Sequence, residues 1–217
     1  MTQVDFIISI GLIITIISIV LFYSISQFET NFNQSKINEI KAKTNSLAKE
    51  LFETDILTEH VSTLKVKFVE TGGLAYNENI KININGDGRK AYANYFNMNK
   101  ISSDFSNNIL NLDLHFDPYE TKYITIYYFG NISDASYIQT NENISAKIIM
   151  SRNISILVQD KCSYDYLSKL FGTKFKIESK ICNVGNSPPE TTVVSINYPM
   201  LIESNGIEVE NVKVLSW

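Results

Sequence analysis

From Phe6 to Ile25 the chain runs twenty positions without a charged side chain, nine of them isoleucine. That length matches the helix needed for one bilayer. The pattern predicts a transmembrane anchor over 1–25. Ser9, Gly11, Thr15, Ser18, Tyr23 and Ser24 interrupt it only mildly, because hydroxyls can return their bonds to the helix backbone. No Lys or Arg precedes Phe6, and Phe22 to Gln27 lacks a small-x-small cleavage site, so the anchor reads as uncleaved. Gly11, Thr15 and Ser18 share one helical stripe with Phe22. Small residues on a stripe let membrane helices approach closely, which makes these three candidate assembly positions.

Over 26–54 the apolar residues Phe28, Phe32, Ile37, Ile40, Leu47 and Leu51 recur mostly at helical spacing, and no Pro or Gly interrupts 12–71. The spacing predicts a helical stalk that continues the anchor. Its apolar face needs a cover, either the chain's own sheet or neighbouring subunits. Own-sheet packing is the expectation for its C-terminal half.

Beyond residue 60 the period becomes two. Val61 to Val69 alternates, as do Ile80 to Ile84 and Leu110 to Phe116. Lys122 to Phe129, rich in Tyr, Ile and Thr, is the strongest β segment, and Ile144 to Met150 and Asn153 to Val158 follow. Ser163 to Phe171 reads as a short helix capped by Ser163 and stopped by Gly172. Lys174 to Cys182 and Thr191 to Asn197 return to β, and Asn205-Gly206 marks a terminal hairpin. The expected class is therefore α+β. A long N-terminal transmembrane and amphipathic helix leads into an antiparallel β-sandwich-like head over 60–217 with one short helix.

Net charge is −4 and no basic patch stands out, so nucleic acid is not an expected partner. The two cysteines, Cys162 and Cys182, predict a disulfide that would suit an oxidising compartment; two buried thiols are the alternative. Asn33, Asn131, Asn143 and Asn153 begin glycosylation sequons. Together with the cysteines they favour an extracellular head on a single-pass cell-membrane protein. Lys36, Lys41 and Lys43 taken alone favour the opposite orientation.

No motif carries strong chemistry. Asn83 to Gly88 resembles half a calcium loop, but Asn94 stands where the bidentate Glu belongs, so a glycine-rich turn is preferred. No nucleophile elbow, phosphate loop or paired metal-ligand spacing appears. Asp160, Asp165, Glu178 and Glu190 are acidic residues without a constellation. Tyr119, Tyr123, Tyr127 and Tyr128 could line a glycan surface or fill the core, with the core preferred. No catalytic residue, cofactor or metal is expected, and the chain does not read as an enzyme.

Thr2-Gln-Val-Asp-Phe6 leading into the apolar helix resembles the amino end of archaeal type IV pilin-like membrane-anchored surface proteins. The segments Tyr164 to Gly172, Phe175 to Ile177 and Val214 to Trp217 resemble them more loosely. The resemblance implies a structural subunit or minor pilin, with membrane lipid and other pilin-like subunits as partners. It also implies that Asp5 pairs with a neighbour's amino terminus. The family's basic leader is not seen before Thr2, which leaves processing open. A solitary anchored module binding a protein or glycan is the alternative.

Overall fold

The computed structural model describes residues 3–150, 153–189 and 193–217, with the side chains of the first helix described from Ile16 onward. That helix, α1 (Gln3–Glu53), is 51 residues long. At ~1.5 Å per residue it is a rod of about 75 Å. It passes from the apolar run into the polar stalk without a break because neither Pro nor an internal Gly after Gly11 interrupts the backbone hydrogen-bond ladder.

The head follows as β1 (Thr58–Glu70), β2 (Tyr76–Gly86), β3 (Ala91–Tyr95), β4 (Lys100–Ile101) and β5 (Ser103–Ser106). Next come β6 (Ile109–Phe116), β7 (Thr121–Tyr128), β8 (Ile132–Ile138), β9 (Ile144–Met150) and β10 (Ile154–Leu157). After α2 (Tyr164–Phe171) the chain ends with β11 (Phe175–Glu178), β12 (Asn183–Gly185), β13 (Val194–Glu203) and β14 (Ile207–Ser216).

Two sheets result. The larger runs β12-β11-β14-β13-β10-β1-β7-β3-β4, with β9 also on β1, and the smaller runs β5-β6-β2-β8. The long strand β1 joins the two ends of the larger sheet. One of its edges pairs β10 through Thr58–Val61 and then β9 through Leu64–Glu70, while the other edge pairs β7.

The inward residues of β1, Leu64, Val66 and Phe68, pack against Ile80, Ile82 and Ile84 of β2 and Leu110, Leu112 and Leu114 of β6. This is the distal core. A proximal core gathers Leu47, Leu51 and Phe52 of α1 with Leu167 of α2, Phe175 and Ile177 of β11, and Val212 and Val214 of β14. The Phe52 and Tyr198 rings stack with centroids 5.0 Å apart. Buried Thr44 shares a hydrogen bond with Ser216 on β14 and donates to the Ile40 carbonyl at 2.7 Å. A small cluster of Val61, Tyr127, Phe129, Ile156, Val158 and Ile207 lies between the two.

The expectation of an α+β chain led by a transmembrane helix is corrected. Among the described residues the fold is mostly β, with fourteen strands against two α-helices. Among the described residues no helix is long and apolar enough to cross a membrane. From Glu29 onward the rod carries Lys36, Glu39, Lys41 and Lys43. Charges at that density are costly in hydrocarbon, so this part of the rod is a stalk. The sandwich expectation is corrected too. The larger sheet is curled and mixed, since β10 and β13 pair in parallel.

Three local expectations also change. β13 runs through Pro199 because β10 pairs only Leu201 and Ile202, so the proline's missing N–H faces an unpaired edge. β8, a segment left without an expected element, pairs β2 from Lys81 to Gly86. Ser163 precedes α2 but its hydroxyl makes no capping bond.

Candidate functional site

Two surfaces of the molecule are uncovered in ways a folded chain does not require. The first is the stretch of α1 from Ile16 to Phe32. Ile16, Ile19, Phe22, Ile25, Phe28 and Phe32 are each at least 52% exposed, and they point to all sides of the helix. Among the described residues of α1 only the last turns dock on β13 and β14, where Leu51 is fully buried. A helix that is apolar all round ordinarily lies inside something, and exposed apolar surface of this extent marks an interaction site.

The second surface is a groove of about 760 Å³ on the outer face of β9, β1 and β7. Alternation along β1 puts Leu64, Val66 and Phe68 into the distal core, so Lys65 and Lys67 project the other way. Tyr123 and Tyr127 of β7, Lys147 and Ile149 of β9, and Phe96 and Met98 from the β3–β4 turn complete the lining. Phe96 is 87% exposed and Tyr123 is 55% exposed. The register sets Lys67 opposite Lys147 across one edge and opposite Tyr123 across the other, and its ammonium lies 5.9 Å from the Tyr123 ring centroid. Among the described residues no carboxylate lines the groove.

Neighbouring polar clusters have structural work. Glu70 is buried, and its carboxylate accepts hydrogen bonds from the backbone N–H groups of Gly72, Gly73 at 3.0 Å and Tyr119 at 2.7 Å. Burial would raise its pKa, but these backbone donors outweigh it and hold the carboxyl below the usual range. Lys90 and the Tyr92 hydroxyl both donate to Glu203 at 2.8 Å, tying β3 to the end of β13. Burial and that carboxylate push the Tyr92 hydroxyl up to about 12. Lys161 donates to the carbonyls of Asp55, at 2.9 Å, and Thr58, closing the turn from α1 into β1.

The sequence-predicted residues divide. Cys162 and Cys182 form a disulfide with Cα atoms 5.7 Å apart, joining the residue before α2's cap to the segment after β11. Asp5, Gly11 and Thr15 fall among the residues whose side chains are not described, and Ser18 lies on the exposed half of α1. Asn33 is exposed on the stalk and Asn153 is exposed beside β10, where its Oδ1 accepts from Ser62 at 3.2 Å. The Asn131 amide donates to Asp87 at 3.3 Å. Asn143 is half-buried.

The four tyrosines split as well. Tyr127 and Tyr128 are buried, whereas Tyr123 and Tyr119 are exposed. The half-calcium loop is a tight turn against Tyr128, whose hydroxyl accepts the Gly88 N–H at 2.7 Å. A Cβ at Gly88 would stand 2.4 Å from the Phe129 carbonyl oxygen. Asp87 meanwhile accepts from the Asn131 backbone at 2.6 Å. Glu178 pairs with Lys176 and Lys213, and Glu190 lies outside the described residues.

Sequence reasoning missed Lys65, Lys67, Lys147 and Phe96. The alternation of Lys65 and Lys67 with Leu64, Val66 and Phe68 signalled one outward cationic face. Nothing local signalled Lys147 as its neighbour.

No family model, curated protein or solved structure matches the chain.

Proposed function

We propose that the protein is a structural, pilin-like assembly subunit. Its α1 packs against α1 or the head of neighbouring subunits, and the β head forms the outer surface. One observation carries this reading. The chain builds a rod of 51 residues, docks its last turns on its own head, and leaves the apolar residues from Ile16 to Phe32 exposed. Asp5, Gly11, Thr15 and Ser18 are the residues this reading assigns to close helix contact. The Cys162–Cys182 bridge supports a head that works outside the cytoplasm. Lipid is a further partner for the apolar half of α1 at the cell membrane, and no membrane crossing is part of the proposal.

The test uses the full chain in a non-ionic detergent, followed by sedimentation velocity. Phe28→Ser with Phe32→Ser is expected to shift oligomers toward monomer while leaving thermal unfolding unchanged, because both rings are exposed. Asp5→Ala is expected to reduce assembly in the same assay. A Phe28/Phe32 variant that sediments like the unaltered protein sinks the reading.

A second reading draws on the groove. A solitary binding or adhesion module would use Phe96, Tyr123 and the three lysines to hold a protein or glycan. That reading leaves the exposed half of α1 without a cover.

A further inference from the structure

The groove and the Ile16–Phe32 stretch of α1 are two uncovered surfaces of one chain, and their chemistry is complementary. Lys67 and Lys147 are direct antiparallel partners on β1 and β9, and Lys65 stands two positions along the same face. Like charges placed directly opposite across a sheet are destabilising. Among the described residues no carboxylate makes an ion pair with any of the three, although other lysines of the head find Glu partners. In a chain of net charge −4, an uncompensated cationic cluster over an apolar floor is a local exception. It calls for an anion carried on an apolar body.

α1 supplies that body. Ile25, Phe28 and Phe32 follow one another at spacings of three and four, so they share one helix face. They are 60%, 73% and 62% exposed, and the two phenyl rings are stacked at 6.5 Å. Glu29 follows Phe28 directly and is the one charged side chain in the sequence from Ile16 to Ser35. The segment is therefore an apolar face with a single negative charge beside it.

We infer that the groove receives the Ile25–Phe32 stretch of a second copy's α1, with its Glu29 set against Lys65, Lys67 and Lys147. This inference rests on the assembly reading and names the partner surface within it. Phe28 and Phe32 meet Tyr123, Phe96 and Met98, and the incoming carboxylate relieves the lysine repulsion that the isolated head retains. The contact joins two different patches, so it is heterologous. Repeated, it propagates head to stalk from copy to copy instead of closing as a two-fold dimer.

Charge reversal on the full chain tests this by sedimentation equilibrium at low salt. Glu29→Lys is expected to weaken self-association about tenfold, as is Lys67→Glu combined with Lys147→Glu. Joining the reversals on both sides is expected to restore association to within about threefold of the unaltered protein. All of these side chains are exposed, so thermal unfolding serves as a fold control and should change little. If the lysine reversals weaken assembly but Glu29→Lys does not, the groove takes another anion, such as an acidic glycan, and the inference is overturned. If both reversals leave assembly intact while Phe28→Ser with Phe32→Ser still dissolves it, this docking is overturned and the assembly reading stands.

Discussion

The distal and proximal cores of the head are built by opposite means. The distal core closes two β layers on each other, and strict alternation on β1, β2 and β6 supplies ten of its seventeen buried residues. It asks nothing of α1. The proximal core is assembled from pieces far apart in the chain: the last turns of α1, the short α2, and the late strands β11, β13 and β14. A disulfide and the buried Thr44–Ser216 pair bind those pieces together. One core is therefore self-contained, whereas the other is a socket whose plug is the end of the assembly helix. Any force or contact acting on α1 reaches the proximal core first, and the distal core carries the groove on its outer face largely undisturbed.

The largest expected effects separate the cores directly. Leu51 and Phe68 are both fully buried, one in each core. Leu51→Ala is expected to cost about 2–5 kcal/mol and Phe68→Ala about 3–5 kcal/mol. Native-state hydrogen exchange should show the difference in place. Leu51→Ala lowers protection in β13, β14 and α2 first, and Phe68→Ala lowers it in β2 and β6 first. Identical exchange patterns in the two variants would mean that the head is a single cooperative unit and the comparison fails.

A smaller effect is expected from removing the covalent staple. Cys162→Ser with Cys182→Ser opens a loop with a sequence separation of 20, at a cost of about 3 kcal/mol in the chain-entropy account. The loss should again appear in the proximal core. Unchanged thermal unfolding in non-reducing buffer would show that the bridge contributes nothing there.

The smallest effect sharpens the distal side and depends on pH. Glu70 has its folded pKa depressed below the ordinary value of 4.5 by the backbone donors around it. Its contribution is therefore fully present above about pH 4.5 and is lost as pH falls through the lower folded pKa. Glu70→Gln should lower the unfolding temperature at neutral pH, and the gap from the unaltered protein should shrink below pH 4.5. A gap that stays constant on acidification would show that the carboxylate's charge does not stabilise this loop.

Much of the local structure was legible in the chain itself. The helical spacing from Phe28 to Leu51 and the unbroken backbone up to Thr71 anticipated a continuous rod. The alternation of Leu64, Val66 and Phe68, and of Leu110, Leu112 and Leu114, anticipated half-buried strands. Asn205 and Gly206 anticipated the last hairpin, where both adopt positive φ. The groove was much less legible. Lys65 and Lys67 announced a face but not its neighbours, because side-chain period is a local property and strand pairing is not.

The amino-acid order alone determined where the backbone is helical or extended and which side of each element is apolar, since both follow from local sterics and periodicity. Tertiary structure decided the rest. It drew β1 into two successive partnerships along one edge, laid β10 parallel to β13, and set Lys147 across from Lys67. It also split the tyrosines between interior and surface. Those outcomes depend on which distant apolar faces bury one another, a choice made by the packed whole and written in no single segment.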